Sequence, residues 1–266
     1  MAGDAGVSLD TGRVRRNYLQ AAAWVKGSQD AFLQDVRFPG GDTTAAYLLW
    51  SLAADGHKRD KATDALVHHL AYSQASDGGF RVRADRPPIE SGRVTPTAVS
   101  IKALRAFVIP GRSADIEARI GRASAWLTAY GPRTGEERSM RVLGLAWARG
   151  DRGALREAAA QLAATQRPDG GWAQLDTLPS DAYATGQALY ALHTAGQLSP
   201  QALLKGVRFL LGSQLTDGTW HVRSRSYPLQ TNYFDTGFPH GRDQWISAAA
   251  TSWAVIGLSL AAGGQR

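Results

Sequence analysis

The chain has 266 residues, of which 44% are hydrophobic and 20% are charged, and this composition is typical of a folded globular protein. It contains no cysteine, which excludes disulfide bonds, thiolate catalysis and cysteine-ligated zinc within the chain. Its formal net charge of +7 is compatible with peripheral contact to an anionic membrane surface. Because the arginines are spread along the chain and form no basic stretch, we do not expect it to bind nucleic acid.

The N-terminal residues are small, acidic and rich in glycine, so residues 1–12 are predicted to form a flexible tail. They show neither the basic start nor the apolar core of a signal peptide. No uninterrupted apolar run approaches the ~20 residues that a membrane span requires. We therefore expect a soluble protein, and the cytoplasm is the favoured compartment, although a chain without cysteine suits either redox environment.

From residue 13 onward, amphipathic stretches alternate with stretches that are richer in Ala, Leu, Trp and Tyr. An amphipathic stretch is typical of a helix with one face in solvent, whereas a helix without charge in its middle is covered on most faces. The predicted pairs of outer and inner helices are, in chain order, 13–29 with 43–54, 59–74 with 97–107, 113–130 with 138–149, 153–166 with 181–195, and 200–214 with 246–262. The sequence therefore predicts about five helical hairpins.

A short motif separates the two helices of three hairpins. It begins with Gln, continues with Asp-Gly at the third and fourth steps, and ends with an aromatic residue at the sixth. The three copies are 74–80, 166–172 and 214–220, and a weaker relic ends at Gln29. Intervals of about 46 residues, or twice that, are typical of stacked helical repeats. Residues 13–262 are therefore expected to form one domain.

Residues 221–245 interrupt the repeat between the last outer and inner helices. Long structured loops in compact domains tend to carry function, and this one combines aromatic with ionisable side chains. The side chains predicted to contact a substrate here are Phe234, Asp235, Phe238 and His240. The insertion is interpreted as a lid over one end of the domain, and the alternative is a packed Ω-loop whose aromatic rings plug that end.

The Gln-x-x-Asp-Gly-x-aromatic turns resemble the QW repeats of squalene–hopene and oxidosqualene cyclases and the related repeats of prenyltransferase β-subunits. The similarity extends over nearly the whole chain and is strongest over residues 153–262. It implies an all-α fold, an α/α toroid (barrel) of about five helical hairpins with inner and outer helix layers. The motif itself implies a structural role, because the Gln amide can bond the backbone of a neighbouring helix while the ring packs beneath it.

Class II cyclases of this family protonate an alkene or an epoxide with an Asp from an Asp-x-Asp-Asp-Thr-Ala sequence that opens an inner helix. The segment Gly40-Gly41-Asp42-Thr43-Thr44-Ala45 is similar to it and places Asp42 on the proton donor of the family. Gly40 and Thr43 replace the flanking acids, which removes carboxylates that tune such a donor. The alternative for Asp42 is a helix N-cap. Asp181, at the start of another inner helix, is a second catalytic candidate with the same alternative.

Aromatic residues on the predicted inner helices have ring faces that stabilise a nearby cation. These candidates for substrate contact are Tyr47, Trp50, Tyr183, Tyr190 and Trp253. The alternative is that they belong to the core, as most aromatic residues at helical spacing do. The histidines show no metal-ligand spacing, so we predict neither a metal nor a cofactor.

The resemblance implies proton-initiated cyclisation of a hydrophobic isoprenoid substrate in a central cavity. Two alternatives remain open on the residues alone. One is a non-catalytic toroid that binds a lipid or a protein partner. The other is a carbohydrate-active toroid, in which a carboxylate pair such as Asp181 and Asp235 performs the chemistry.

Overall fold

The computed structural model describes residues 10–81, 86–226 and 235–263. The described residues form eleven α-helices and one 3₁₀ turn, with no β-strand among them. The helices are α1 (Thr11–Gly27), α2 (Gln29–Leu33), α3 (Gly41–Ala54), α4 (Lys61–Tyr72), α5 (Val94–Ala106), α6 (Ser113–Ala129), α7 (Gly135–Ala148), α8 (Arg152–Ala163), α9 (Ala182–Thr194), α10 (Pro200–Ser213) and α11 (Gln244–Gly263), and the 3₁₀ turn is Gly241–Asp243. The prediction of an all-α fold is confirmed.

The helices form two layers. The apolar helices α3, α5, α7, α9 and α11 form the inner layer and pack on one another in chain order. The outer helices α4, α6, α8 and α10 each contact two consecutive inner helices, and α1 covers α3. The predicted α/α toroid of five hairpins is therefore confirmed. Among the described residues, α11 and α3 pack less closely than consecutive inner helices do.

Small residues bring neighbouring inner helices into close contact. A Cβ atom at Gly186 of α9 would lie 2.3 Å from the backbone of Trp253 in α11. A Cβ atom at Gly144 of α7 would lie 3.0 Å from the Cβ of Ala98 in α5. Because a neighbouring backbone cannot move aside as a flexible side chain can, these glycines set the distance between the helices.

The inner helices begin at residues that differ from the predicted ones. The α3 helix begins at Gly41, after Gly40 in a left-handed conformation with a φ of 76°. Asp42 therefore lies inside the helix, and its interpretation as an N-cap is wrong. The early start depends on consecutive glycines, because Gly41 also has a positive φ of 49°, which other residues rarely adopt. Asp181 does cap α9, since its Oδ1 accepts a hydrogen bond of 2.9 Å from the Ala184 amide.

The N-terminal tail is shorter than the predicted residues 1–12. The α1 helix begins at Thr11, and Asp10 caps it by accepting a hydrogen bond of 2.8 Å from the Arg13 amide. Asp10 is a favourable N-cap residue, which explains the earlier start. Residues 1–9 lie outside the described residues.

The last inner helix is unusually apolar. Gly241–Gly263 is long and apolar enough to cross a membrane by length and composition alone, contrary to the expectation from uninterrupted apolar runs. Small polar residues such as Ser247 and Ser252 interrupt the run but carry no charge. In the fold this helix packs against α9 and α10.

The Gln turns connect consecutive hairpins. In each of the first two turns, the Gln side-chain nitrogen donates to a carbonyl of its own turn and to a carbonyl of the next outer helix. Gln74 reaches Arg119 of α6 at 2.9 Å, and Gln166 reaches Ala202 of α10 at 3.0 Å. Each of these two side chains therefore ties its hairpin to the outer helix that follows.

Candidate functional site

The two ends of the inner layer carry different chemistry. The second residues of α5, α7 and α9 contact one another at the N-terminal end of the layer. The last turns of α3, α5, α7 and α9 line one cavity at the C-terminal end. The inner helices therefore run in the same direction, with buried acids at one end and aromatic rings and cations at the other.

Glu136, the second residue of α7, is 3% exposed and lies among three polar side chains. The Thr95 hydroxyl donates to its Oε1 at 2.7 Å, and the Tyr183 hydroxyl and the Gln187 amide donate to its Oε2 at 2.7 and 2.8 Å. Burial raises the pKa of Glu136, although these hydrogen bonds and the charge of Arg225 oppose the rise. The buried Oε1 of Gln187 has no hydrogen-bond partner among the described residues. The network therefore holds an acid in a largely dry environment.

Two tyrosine hydroxyls adjoin this carboxyl group. Burial raises the pKa of Tyr183 well above its ordinary value, and the charge of Glu136 raises it further. Burial and the charges of Glu136 and Glu90 likewise raise the pKa of Tyr47. Both phenols therefore stay protonated near neutral pH and remain hydrogen-bond donors.

Asp181 combines a capping role with burial. Its Oδ1 caps α9, and its Oδ2 accepts a hydrogen bond of 3.0 Å from the Gln174 amide. Burial raises the pKa of Asp181 to about 6, although the Ala184 amide, Gln174 and the charge of Arg225 lower it. A carboxyl group with this pKa is partly protonated near pH 6, so it can donate a proton without leaving its position.

A cavity of about 800 Å³ opens beside Asp181. Its wall is formed by the segment that leads into α9, by residues 221–225 and by the 3₁₀ turn. The ionisable side chains that line it are Asp181, His221, Arg223, Arg225, Arg242 and Asp243. Its volume is in the range of small-molecule sites, but no Phe, Tyr or Trp is among the residues that line it.

Residues 221–225 and 242–243 of the insertion line the cavity beside Asp181. His221 Nε2 and Asp243 Oδ2 are 2.8 Å apart, and Arg225 Nε donates to Gln174 Oε1 at 2.8 Å. The second contact holds the insertion against the segment that precedes α9. Phe234 lies within 227–234, outside the described residues.

Three other candidates in the insertion lie away from this cavity. The ring of His240 stacks on His221 with centroids 4.9 Å apart, and Phe238 meets His240 edge-on at 6.3 Å. His240 also contacts the hydroxyl of Thr219 in the third Gln turn at 2.9 Å. Asp235 is exposed and accepts a hydrogen bond from the Gly237 amide at 2.9 Å. None of these three candidates is among the residues that line the cavity beside Asp181.

Asp42 occupies the same helical position as three residues of the hydrogen-bond network around Glu136. It is 2% exposed and is the second residue of α3. The second residues of α5, α7 and α9 are Thr95, Glu136 and Tyr183, and these three are joined by hydrogen bonds. Asp42 therefore lies in the same layer of the toroid, although it does not line the cavity beside Asp181.

The predicted aromatic candidates on α3, α9 and α11 form two groups. Tyr47 stacks on Trp50 with centroids 5.9 Å apart, and Trp50 meets Trp147 of α7 edge-on at 5.0 Å. Tyr190 and Trp253 form a pair at 5.7 Å. Trp50, Trp147 and Tyr190 line a second cavity of about 550 Å³ at the C-terminal end. Tyr47 lies between the two ends. The charge of Glu136 raises the pKa of its hydroxyl, and its ring stacks on Trp50.

Sequence reasoning missed Glu136. In α5 and α9, a threonine lies two residues after the second residue of the helix. The hydroxyls of Thr97 and Thr185 accept hydrogen bonds of 2.9 Å from the backbone N–H of the aromatic residue that ends the preceding Gln turn. In α7 that place is taken by Arg138. A threonine two residues after the second position is shared by α3, α5 and α9, as Thr44, Thr97 and Thr185, and would have identified the layer in these helices, but α7 lacks it. Among the described residues, no group of three or more His, Asp or Glu is placed to hold a metal ion.

The two-layer helical toroid defines a terpene cyclase-like fold, and the comparisons with known proteins agree. A squalene–hopene cyclase of Bradyrhizobium diazoefficiens is 33% identical over an alignment of 109 residues, which covers 37% of this chain and 15% of that cyclase. The ent-copalyl diphosphate synthase from Streptomyces platensis superposes on 93% of this chain and 49% of its own chain, with a TM-score of 0.58 and 22% identity. The chain thus spans about half the length of this structural relative. No protein-family model matches the chain.

Proposed function

We propose that this protein acts on an isoprenoid by proton-initiated cyclisation, with Asp181 as the proton donor. The observation that carries the proposal is a partly buried carboxyl group, its pKa raised to about 6, beside a cavity of about 800 Å³. Protonation of an alkene needs an acid that stays protonated near working pH and is held in place. Gln174 and the Ala184 amide hold Asp181 in one orientation.

The inner helices supply the second requirement, which is stabilisation of the positive charge that protonation creates. Ring faces attract cations, and Tyr183, at the start of α9, follows Asp181 by two residues, whereas Trp50 and Tyr190 line the cavity at the opposite end. The Glu136 carboxyl group lies within hydrogen-bond distance of the Tyr183 hydroxyl and orients that ring. Residues 221–226 would then act as part of a lid beside the acid, and Asp42 is the second candidate donor.

The test is turnover of squalene and of geranylgeranyl diphosphate as linear isoprenoid probes, with cyclised products detected by mass spectrometry. Replacing Asp181 by Asn keeps a capping oxygen but removes the acid, so we expect turnover to fall at least about 100-fold. Turnover by the unaltered protein should rise as the pH falls through about 6. Asp42→Asn reports on the second candidate.

A matched control is Asp151→Asn, because Asp151 caps the outer helix α8 and is exposed. This variant loses the same charge and keeps the same capping chemistry without touching the cavity. Full turnover by both Asp42→Asn and Asp181→Asn would contradict the acid assignment. Absence of turnover with both probes, together with their binding, would favour the non-catalytic lipid-binding alternative. The carbohydrate alternative has less support, because the exposed Asp235 does not line the cavity beside Asp181.

A further inference from the structure

The cavity at the C-terminal end of the inner layer has an unbalanced charge. Its volume is about 550 Å³, and the residues that line it include three cations and no carboxylate. The charged and aromatic residues among them are Trp50, Lys102, Arg105, Trp147, Arg149 and Tyr190. One of the three cations is neutralised from outside the wall, because Arg105 donates to both carboxylate oxygens of Glu117 at 3.0 and 3.2 Å.

The other two cations have no acidic partner among the described residues. Lys102 lies 5.4 Å above the ring of Trp147, and its ammonium group forms no ion pair with a carboxylate of the described residues. Burial lowers the pKa of Lys102, and the charge of Arg149 lowers it further. Two cations that face one cavity without an anion repel each other, and a bound anion would remove that cost.

The backbone at Arg149 is a second, independent observation. Arg149 ends α7 in a left-handed conformation with φ 55° and ψ 28°, a place that glycine normally takes. Side chains rarely adopt this conformation, and such outliers persist where the surrounding structure holds them. Here the left-handed residue is an arginine that lies on the cavity wall.

We propose that this cavity binds an amphiphilic organic anion. Its phosphate or carboxylate group lies between Lys102 and Arg149, and its apolar body lies against Trp50 and Trp147. The Tyr190 hydroxyl lies on the same wall, beside the Thr194 side chain, so it is a third donor for the anion. The proposal concerns the end of the toroid opposite Asp181 and does not depend on the proposed cyclisation.

The competing explanation is that the cations only complement the carbonyl ends of the inner helices, which carry partial negative charge. Arg105 does this, since it donates to the Ala148 carbonyl at 2.6 Å. Lys102 makes no such contact, because it lies a full turn before the end of α5. Arg149 follows the last residue of α7 and makes no side-chain hydrogen bond to a carbonyl among the described residues. Capping therefore accounts for one cation of the three.

Calorimetric titration with three soluble probes tests the proposal: 1-naphthyl phosphate, inorganic phosphate and 1-naphthol. We expect naphthyl phosphate to bind at least about ten-fold more tightly than either partial probe, because it alone satisfies both parts of the site. Lys102→Gln and Arg149→Gly should each weaken its binding about five-fold or more. Arg149→Gly suits the left-handed backbone, so its thermal midpoint should stay the same or rise, which separates lost binding from lost folding.

The control is Arg156→Gln, because Arg156 is exposed on α8 and does not line the cavity. It should leave the naphthyl phosphate affinity within about two-fold of the unaltered protein. An equal loss in all three variants would mean diffuse attraction by the net charge and would overturn the proposal. It would also be overturned if naphthyl phosphate failed to bind, or if Lys102→Gln and Arg149→Gly bound it unchanged. None of these outcomes bears on isoprenoid turnover.

Discussion

The second and third Gln turns have closely similar sequences but different surroundings. The turn 166–172 lies against the outer helix that follows it, whereas among the described residues no outer helix follows the turn 214–220. Gln166 is partly buried and bonds Ala202 of α10 at 3.0 Å. Gln214 is exposed and donates only to Gly218 of its own turn, at 3.0 Å.

The glycines and leucines show the same difference. A Cβ atom at Gly170 would lie 2.5 Å from the Lys205 carbonyl oxygen of α10, whereas one at Gly218 would meet nothing closer than 4.0 Å. Leu211 and Leu215, next to the terminal turn, are 56% and 42% exposed. A repeated motif therefore forms the same local turn in both places, but it joins hairpins only where a further hairpin is present to receive it.

Replacing the buried tryptophan of either turn should give the largest loss of stability. The loss should be similar in the two turns, because both rings are buried. Trp172 and Trp220 are 2% and 1% exposed, and their indole N–H groups donate to Leu162 and Leu210 at 3.0 and 2.8 Å. We expect Trp172→Ala and Trp220→Ala each to lower the free energy of unfolding by about 3–5 kcal/mol, because each leaves a cavity in the core. Denaturant unfolding measures this. A loss below about 1 kcal/mol for Trp220 would show that the terminal turn is not packed as the interior turn is.

Replacing the Asp-Gly glycine of each turn by alanine should destabilise the two turns to different extents. Gly170→Ala combines a strained positive φ with a backbone clash, so we expect a loss of about 3 kcal/mol. Gly218→Ala has the same positive φ (82° against 89°) without a clash, so it should cost about 1 kcal/mol. Equal losses in the two variants, measured by denaturant unfolding, would mean that contact with α10 contributes nothing at Gly170.

The sequence predicted the layers well because helix period and apolar content are local properties. The five outer–inner pairs and the cap Asp181 followed from them, whereas the start of α3 did not. It depends on the paired Gly40 and Gly41, whose positive φ values are not visible in an apolar pattern. Glu136 was missed for a different reason, because its partners Thr95 and Tyr183 come from other helices. Which charged residues share a cavity likewise depends on the packing of separate hairpins.

The difference between the turns extends into the inner helix that follows. After the interior turn, Asp181 donates its backbone N–H to the Trp172 carbonyl at 3.0 Å, and its side chain is partly buried. Its pKa in the folded protein, about 6, is above the ordinary value of 3.8, so folding favours the protonated form. The free energy of unfolding should therefore fall as the pH rises from about 4 to about 6, by about 2–3 kcal/mol from this group.

Asp181→Asn should remove this part of the pH dependence. The unfolding free energy of the variant, relative to the unaltered protein, is expected to increase between about pH 4 and pH 7. Denaturant unfolding at several pH values measures the difference in slope, which is independent of the fixed cost of losing the Gln174 contact. Parallel curves for Asp181→Asn and the unaltered protein would contradict the raised pKa.

Replacing the Gln of each turn should give the smallest losses of stability. The size of each loss should depend on whether the Gln contacts a following outer helix. Gln166→Ala removes the contact to the Gly170 carbonyl within the turn and the contact to the Ala202 carbonyl of α10, both in a partly buried place. We expect a loss of about 1–2 kcal/mol, because two carbonyls lose their donor. Gln214→Ala removes only the exposed contact within its turn, where water replaces the lost donor, so the loss should stay below about 0.5 kcal/mol.

A double variant isolates the contact between hairpins from the contact within the turn. In Gly170→Ala, the added methyl group pushes the turn away from Lys205 of α10, which should also separate Gln166 from its partner on that helix. The losses from Gln166→Ala and Gly170→Ala should then be less than additive, by about 0.5–1 kcal/mol, because one change already weakens the contact that the other removes. The pair Gln214→Ala and Gly218→Ala has no outer helix to lose, and its losses should add. Additivity in both pairs would mean that Gln166 stabilises only its own turn, and that the same motif has the same role in both places.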